Sequence, residues 1–361
     1  SLSIWMSWVW FEPLCNGNYQ HLFTGDLQMK TYKICISVIC VISGWIFATV
    51  INVPADQPSI QAGIDFAEDG DTVLVASGTY YENVIWPEGN GIKLIGEDRE
   101  TTIIDGSQDG SVIRFEFDEE NAIIDSTTEI SNFTITNGFA NGEEDYYTRI
   151  GGGLYLQNAS PVMSGLTVIS NDASYDGGGL YLSNSNVKLN NVTISNNSSY
   201  GGGGIWASFS EYSLTDVSIA NNVAEQSGGG IFNTVSSPIL KNTQIIDNMA
   251  ISGGGIWCFY DSHFEMDNVT LSRNTAINSG GGIYIWASSN PTITDNTAEN
   301  GGAMYNRYNS TPIITNSILW NNSDFEICGD PNERSELIIT HTNIKGGEDG
   351  INDSLFNYTS C

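Results

Sequence analysis

Basic side chains are scarce in this chain: 12 Lys and Arg stand against 42 Asp and Glu, a formal net charge of −30. A surface of that sign repels phosphate backbones and anionic lipid, which argues against nucleic-acid and membrane-surface partners and leaves calcium and neutral glycans as compatible ligands. Proline is sparse at 9 residues, charged residues make up only 15%, and 39 glycines punctuate the chain. That balance disfavours long helices and points to one turn-rich β-architecture. With 40% hydrophobic and 11% aromatic residues there is material for a substantial core, so the polarity is not that of a disordered chain. Histidine occurs three times, and G-x-S-x-G, HExxH and Walker sequences are absent, which removes the usual signatures of serine hydrolases, zinc proteases and nucleotide-binding enzymes.

The apolar run Ile34 to Phe47 holds 14 residues, short of the about 20 that span a bilayer. It follows Met29, Lys30 and Lys33 and leads to Ala48, the pattern of a bacterial secretory signal cut after Ala48. Three segments are therefore expected: 1–28, a non-native upstream leader; 29–48, the signal peptide; and 49–361, an exported domain. Of six cysteines only Cys258, Cys328 and Cys361 fall in that domain, an odd count without CxxC, which excludes a disulfide framework and a zinc knuckle. Either Cys328 pairs with Cys361 or all three are free thiols, and Cys258 occupies a position where an inward side chain is expected.

From Gly151 the chain repeats itself. GGGLYL at 151 and 177, GGGIWA at 202, GGGIFN at 228, GGGIWC at 253, GGGIYI at 280 and GGAMYN at 301 place the following aliphatic residue at steps of 26, 25, 26, 25, 27 and 21. A second marker, out of phase with the first, ends on Asn171, Asn197, Asn222, Asn248, Asn274, Asn296 and Asn321. Two markers with one period, set in short β-rich runs broken by Asn and Gly, define a parallel β-solenoid of about 25–26 residues per coil. Coils stacked about 4.8 Å apart align identical positions as ladders. The Asn row then hydrogen-bonds from rung to rung and tolerates left-handed backbone there, and the glycines fit corners where a Cβ would clash. The 313 residues of 49–361 give roughly a dozen coils. Ahead of them, Ser59 to Ala67 reads as a short amphipathic helix with Ser59 as N-cap and Ile60, Ile64 and Ala67 on one face, a lid for the first coil. Phe139 to Ile150 reads as an insertion looping over one face.

The opening segment VPADQPSIQAGIDFAEDGDTVLVASGTYYENV, with IKLIGE and TTIIDG, resembles the start of secreted right-handed parallel β-helix proteins of the pectin-lyase-like superfamily. The run Gly78 to Asn83 shares the G-x-Y-x-E-N look of pectin methylesterases. NVAEQSGGGI, NTAINSGGGI and NTAENGGAM are similar to the repeats of chlamydial polymorphic outer-membrane proteins, which are exported adhesins. The tail SILWNNSDFEI, ITHTNIKGGEDG and SLF resembles the closing coils of large surface proteins that continue into a sorting or anchoring domain, so truncation at the C-terminus is expected. The resemblance covers most of Ile51 to Phe356 and implies a right-handed, all-β, single-stranded solenoid, secreted or at the cell surface. The catalytic motifs of pectin methylesterases and polygalacturonases have no match in these coils, and the fold alone does not name an activity.

Two rows carry candidate chemistry. Tyr155, Tyr181, Trp206, Phe232, Trp257, Tyr284 and Tyr305 follow the inward aliphatic residue in seven coils and should point outward. They form either a platform for stacking on sugar rings or an aromatic ladder that stabilises itself, in part under the loop 139–150. The position before each ladder Asn puts Asp247, Arg273 and Asp295 on consecutive rungs. These are either a cross-rung ion pair or the parts of a polysaccharide lyase, with carboxylates for calcium and an arginine as base. The acidic groups Asp118 to Glu120 and Glu143 to Asp145 lack EF-hand and nonapeptide calcium spacing and read as solvated charge, so no metal site is favoured and calcium stays an option. The expectation is a monomeric rod whose partner is a polysaccharide or a host or neighbouring surface glycan. It acts without catalysis as an adhesin or glycan-binding stalk, the alternatives being a lyase of uronic-acid polymers and a structural spacer for a missing C-terminal module.

Overall fold

The computed structural model describes residues 48–361 except 118–123, 143–145, 263, 287–291, 295–296, 300–301, 308–312, 316–317, 320–325, 330–334, 351–355 and 361. The chain is an all-β, right-handed parallel β-helix, and every ladder between its strands is parallel. One coil shows the plan. Strands Val162–Ser164, Thr167–Ile169, Asp172–Asp176 and Leu180–Ser183 follow one another around the axis, and the next strand, Lys188–Asn190, returns to pair with the first. Among the described residues, strands stack in this way into four sheets, numbered 1 to 4 in the order the chain visits them, with 13, 11, 6 and 10 strands. The expected register holds residue by residue: Leu154, Leu180, Ile205, Ile231, Ile256, Ile283 and Met304 face one another in sheet 4.

The first coil is closed as its sequence suggests. Helix α1 (Ile60–Phe66) starts at Ser59, whose hydroxyl accepts from Ala62 N–H at 3.1 Å. The Glu82 carboxylate, reaching across from the coil below, takes the N–H groups of Ile60 and Gln61 at 2.9 Å each, a negative charge at the helix end where it is favoured. Ile60 and Ile64 are fully buried. A Cβ at Gly63 would meet Val73 Cγ1 at 2.8 Å, so the close seat of helix on sheet requires glycine.

In the regular coils between Gly151 and Gly280 the chain turns from each sheet to the next at a residue with left-handed backbone, four times per coil. Asn191, Asn196, Gly202 and Phe209 supply the four corners of one coil, with φ of 52°, 54°, 65° and 48°. The left-handed angle expected at the Asn row falls one residue earlier, on Ser170, Asn196, Asn221, Asp247 and Arg273. The ladder asparagines themselves are buried and serve as hydrogen-bonding columns. Asn171, Asn197, Asn222 and Asn248 each donate Nδ2 to the Oδ1 of the next ladder asparagine at 3.0–3.1 Å. Each backbone N–H goes to that same Oδ1 at 3.0 Å. Asn274 closes the described part of the column; Asn296 and Asn321 lie outside the described residues. A second column, not foreseen, runs at the corner between sheets 4 and 1: Ser185 and Ser210 N–H donate to the hydroxyls of Ser210 and Ser236 at 3.0 and 3.1 Å, and all three serines are buried. Serine is too common in this chain for its period to stand out.

Glycine at the corner between sheets 3 and 4 answers three separate constraints in one coil. Gly202 holds the positive φ, and Cβ atoms at Gly203 and Gly204 would lie 2.5 Å from the carbonyl oxygens of Val223 and Gly230. The interior is lined by stacked aliphatic residues from sheets 1, 2 and 4, with Cys258 inward and fully buried as expected. Cys258 and Cys328 are free thiols, and the pairing of Cys328 with Cys361 involves a residue outside the described set.

Two outcomes follow for stability. Asn222→Ala strips the Asn197 amide and backbone N–H of their acceptor inside the wall, and its unfolding free energy in urea should fall by about 3 kcal/mol; a loss under 0.5 kcal/mol would show that the column is ornamental. Val235 carries a β-branched side chain at φ 47°, at a corner where the coil two turns earlier uses Asn184. Val235→Asn should therefore stabilise by about 1 kcal/mol in the same assay.

Candidate functional site

Parallel register places one residue of each coil directly above its equivalent, so an outward aromatic in every coil has to stack on the next. In sheet 4 it does. Tyr155, Tyr181, Trp206, Phe232, Trp257, Tyr284 and Tyr305 form one column with successive centroid separations of 5.4, 4.6, 6.0, 6.2, 4.1 and 5.1 Å and interplanar angles of no more than 19°. The rings stack nearly parallel, so that each covers part of its neighbour's face. The column is consequently less exposed than an open stripe: Tyr155, Tyr181 and Tyr284 are buried, and Trp206, Phe232, Trp257 and Tyr305 are half-buried. Ile150 covers the first rings, as the loop reading of 139–150 anticipated for this end. Phe139 and Ala140 of that segment are instead the first strand of sheet 3.

Upstream of Tyr155 the same column continues as Arg114 and Ile85. The Arg114 guanidinium caps the last ring face at 4.1 Å, a cation–π contact, and donates to Ser111 Oγ, Tyr147 O and Glu116 Oε2 at 3.1, 3.2 and 3.2 Å. The short 3-10 turn Tyr146–Arg149 is thus tied down over this end of the sheet. A further tie is Tyr146, whose hydroxyl donates to Asp176 Oδ2 at 3.0 Å. Asp176 is buried, and desolvation pushes its carboxyl up to about 7 against the opposing pull of the Tyr146 hydrogen bond. Tyr146, Tyr147, Tyr175 and Tyr200 form a cluster of partly exposed rings beside it, missed by sequence reasoning because its members come from three separate segments of the chain.

Arg273 and Asp247 do meet across adjacent rungs, in a bidentate pair with Nε–Oδ1 of 2.8 Å and Nη2–Oδ2 of 2.7 Å. The pair is exposed, and the Arg273 hydrogen bond holds the Asp247 carboxyl below its usual range. A guanidinium clamped by a carboxylate keeps its proton, so this pair has the form of a cross-rung ion pair rather than of a base awaiting a substrate. Asp295, the acidic loops Asp118 to Glu120 and Glu143 to Asp145, and His263 lie outside the described residues. Among the described residues no three His, Cys, Asp or Glu side chains gather as a metal site.

Parts of the chain match two models of known protein families. The model of the right-handed β-helix region matches residues 231–354, and that of the Chlamydia polymorphic membrane protein repeat matches 191–208. Among solved structures it is similar to a pectin methylesterase from carrot, at 15% identity and TM-score 0.43 over 86% of this chain and 88% of that one. It is similar also to the A-module of the mannuronan C-5 epimerase AlgE4 from Azotobacter vinelandii, at 14% identity and TM-score 0.44 over 84% and 92%. A tailspike capsular polysaccharide depolymerase from the Acinetobacter baumannii bacteriophage Fri1 matches at 11% identity and TM-score 0.35 over 88% and 61%. Among curated proteins none matches in sequence.

Asp176 generates a pH signature. Unfolded, it releases its proton near the ordinary carboxyl value of 3.8; folded, it holds the proton to about 7. Between those values the native state binds more protons than the unfolded one, so this group's contribution to stability falls as pH rises, by up to about 1.4 kcal/mol per unit. Unfolding of Asp176→Asn, followed in urea from pH 4 to 7, should lack this decline, and parallel curves for the two proteins would refute the assignment.

Proposed function

We propose that this chain is an exported, non-catalytic β-helix that binds a glycan along the outer face of sheet 4, at the cell surface or beyond it, as an adhesin or binding stalk. The supporting observation is the outward aromatic column on seven successive coils. A face that repeats coil after coil suits a polymer, whose own repeat is met several times over, better than it suits a single reacting bond. The net charge of −30 favours a neutral polymer over a polyanionic one. The match of residues 191–208 to a membrane-protein repeat supports a place at the surface.

One feature favours a second reading, that of a structural spacer: the rings cover one another's faces, as a purely self-stabilising column would. A glycan array and polymer pull-down separates the two readings, run with and without calcium on the chain and on Trp206→Ala/Trp257→Ala, each checked for its β-sheet signal by circular dichroism. The glycan reading expects wild-type binding that falls at least tenfold in the folded double variant. A folded wild type that binds nothing decides for the spacer.

A further inference from the structure

At its first coils sheet 4 changes character. The column of rings gives way to Arg114 and Ile85, and the turn Tyr146–Arg149 stands over them, bordering an open cleft of about 420 Å³. That volume lies in the about 300–1,000 Å³ range of small-molecule sites. The lining is mixed. Tyr147 offers a half-exposed ring and Ile85 an exposed aliphatic side chain, while Asp109, Arg114, Glu116 and Thr148 bring polar groups to the same space.

Arg114 is the fixed point of the cleft. Stacked on Tyr155 and bonded to Ser111, Tyr147 and Glu116, its side chain is 18% exposed and held in one orientation. A guanidinium has five N–H donors. Three are engaged here, and two are not. Glu116, 55% exposed, has acceptor capacity beyond its bond to Arg114. Two carboxylates, one guanidinium and an aromatic wall match the surface of a pyranose: hydroxyls around its rim that both donate and accept, and C–H groups on its faces that pack on a ring. The two carboxylates outnumber the one cation, so a ligand carrying its own carboxylate would meet net repulsion.

We infer that this cleft is a neutral-sugar subsite, seating one or two pyranose units at the head of the aromatic column, and that it anchors the glycan in register with sheet 4. The inference rests on the glycan-binding reading above and locates its specificity. Donor and acceptor pairs here choose the sugar, and the rings downstream add contact without choice.

The test uses the full chain on a printed array of neutral and uronic-acid oligosaccharides, followed by titration calorimetry with the tightest binder. Tyr147→Ala and Glu116→Gln alter exposed side chains, and each should keep the wild-type melting temperature within about 3 °C, the shift of a sub-kcal/mol surface change. The expected result is a neutral oligosaccharide as the tightest binder, bound at least tenfold more weakly by each variant, with Arg273→Ala binding as wild type does. Wild-type affinity retained by both variants overturns the cleft assignment and leaves glycan binding standing. Preference for a uronic-acid oligosaccharide overturns the ligand class, and a folded wild type that binds no array member overturns the glycan reading together with this one.

Discussion

A parallel coil stack has no hairpin to set its register. Each strand pairs with residues a full turn away in sequence, and a slip of one residue would turn every inward side chain outward. Something that recurs once per coil must hold the alignment, and in this chain it is the buried amide column from Asn171 to Asn274. From Asn197 onward each Oδ1 accepts both the Nδ2 and the backbone N–H of the asparagine before it, while the first, Asn171 Oδ1, accepts Gly138 N–H; each Nδ2 also donates to a carbonyl of the preceding coil, as Asn222 does to Ile194 O at 3.0 Å. A one-residue slip would leave these groups unpaired inside the wall, where each costs about 1–3 kcal/mol. Alignment is thereby selected at every rung rather than at one end.

The aromatic face is a consequence of that alignment. Once Leu180 lies over Ile205, Tyr181 has no choice but to lie over Trp206, at a separation set by the backbone. The column gains stacking energy and gives up face exposure. On the proposed glycan reading, contact falls to what the stacked rings leave open along the middle of the sheet, and to the place where the column's composition changes, at Arg114 and Ile85. On the proposed reading, specificity is concentrated where the repeat is broken, because there a side chain is no longer obliged to match the one above it.

What could be read in the sequence was whatever recurs. The two markers gave the coil length, the facing aliphatic residues and the members of the Asn column, and the Ser59 cap with Ile60 and Ile64 gave the helix. The exact corner residue was misplaced by one, because Asn is common on both sides of the turn and only φ separates Asn196 from Asn197. Ring exposure could not be judged from alternation, which tells outward from inward but not whether a neighbour covers the face. The overhanging turn was invisible for another reason. Tyr146 and Asp176, or Arg114 and Tyr147, belong to different coils and occur once each, so no period announces them.

The claim that the amide column holds the coils in register is most directly tested by native-state hydrogen exchange followed by NMR. The backbone N–H groups of Asn197, Asn222 and Asn248 donate to buried side-chain oxygens, so each can exchange only when the stack opens. The account predicts that these three protons are among the slowest in the molecule and that they share one opening free energy close to that of global unfolding. Exchange as fast as that of the exposed corners at Phe209 and Tyr260 would contradict it, and would mean that the stack is held by its apolar interior alone.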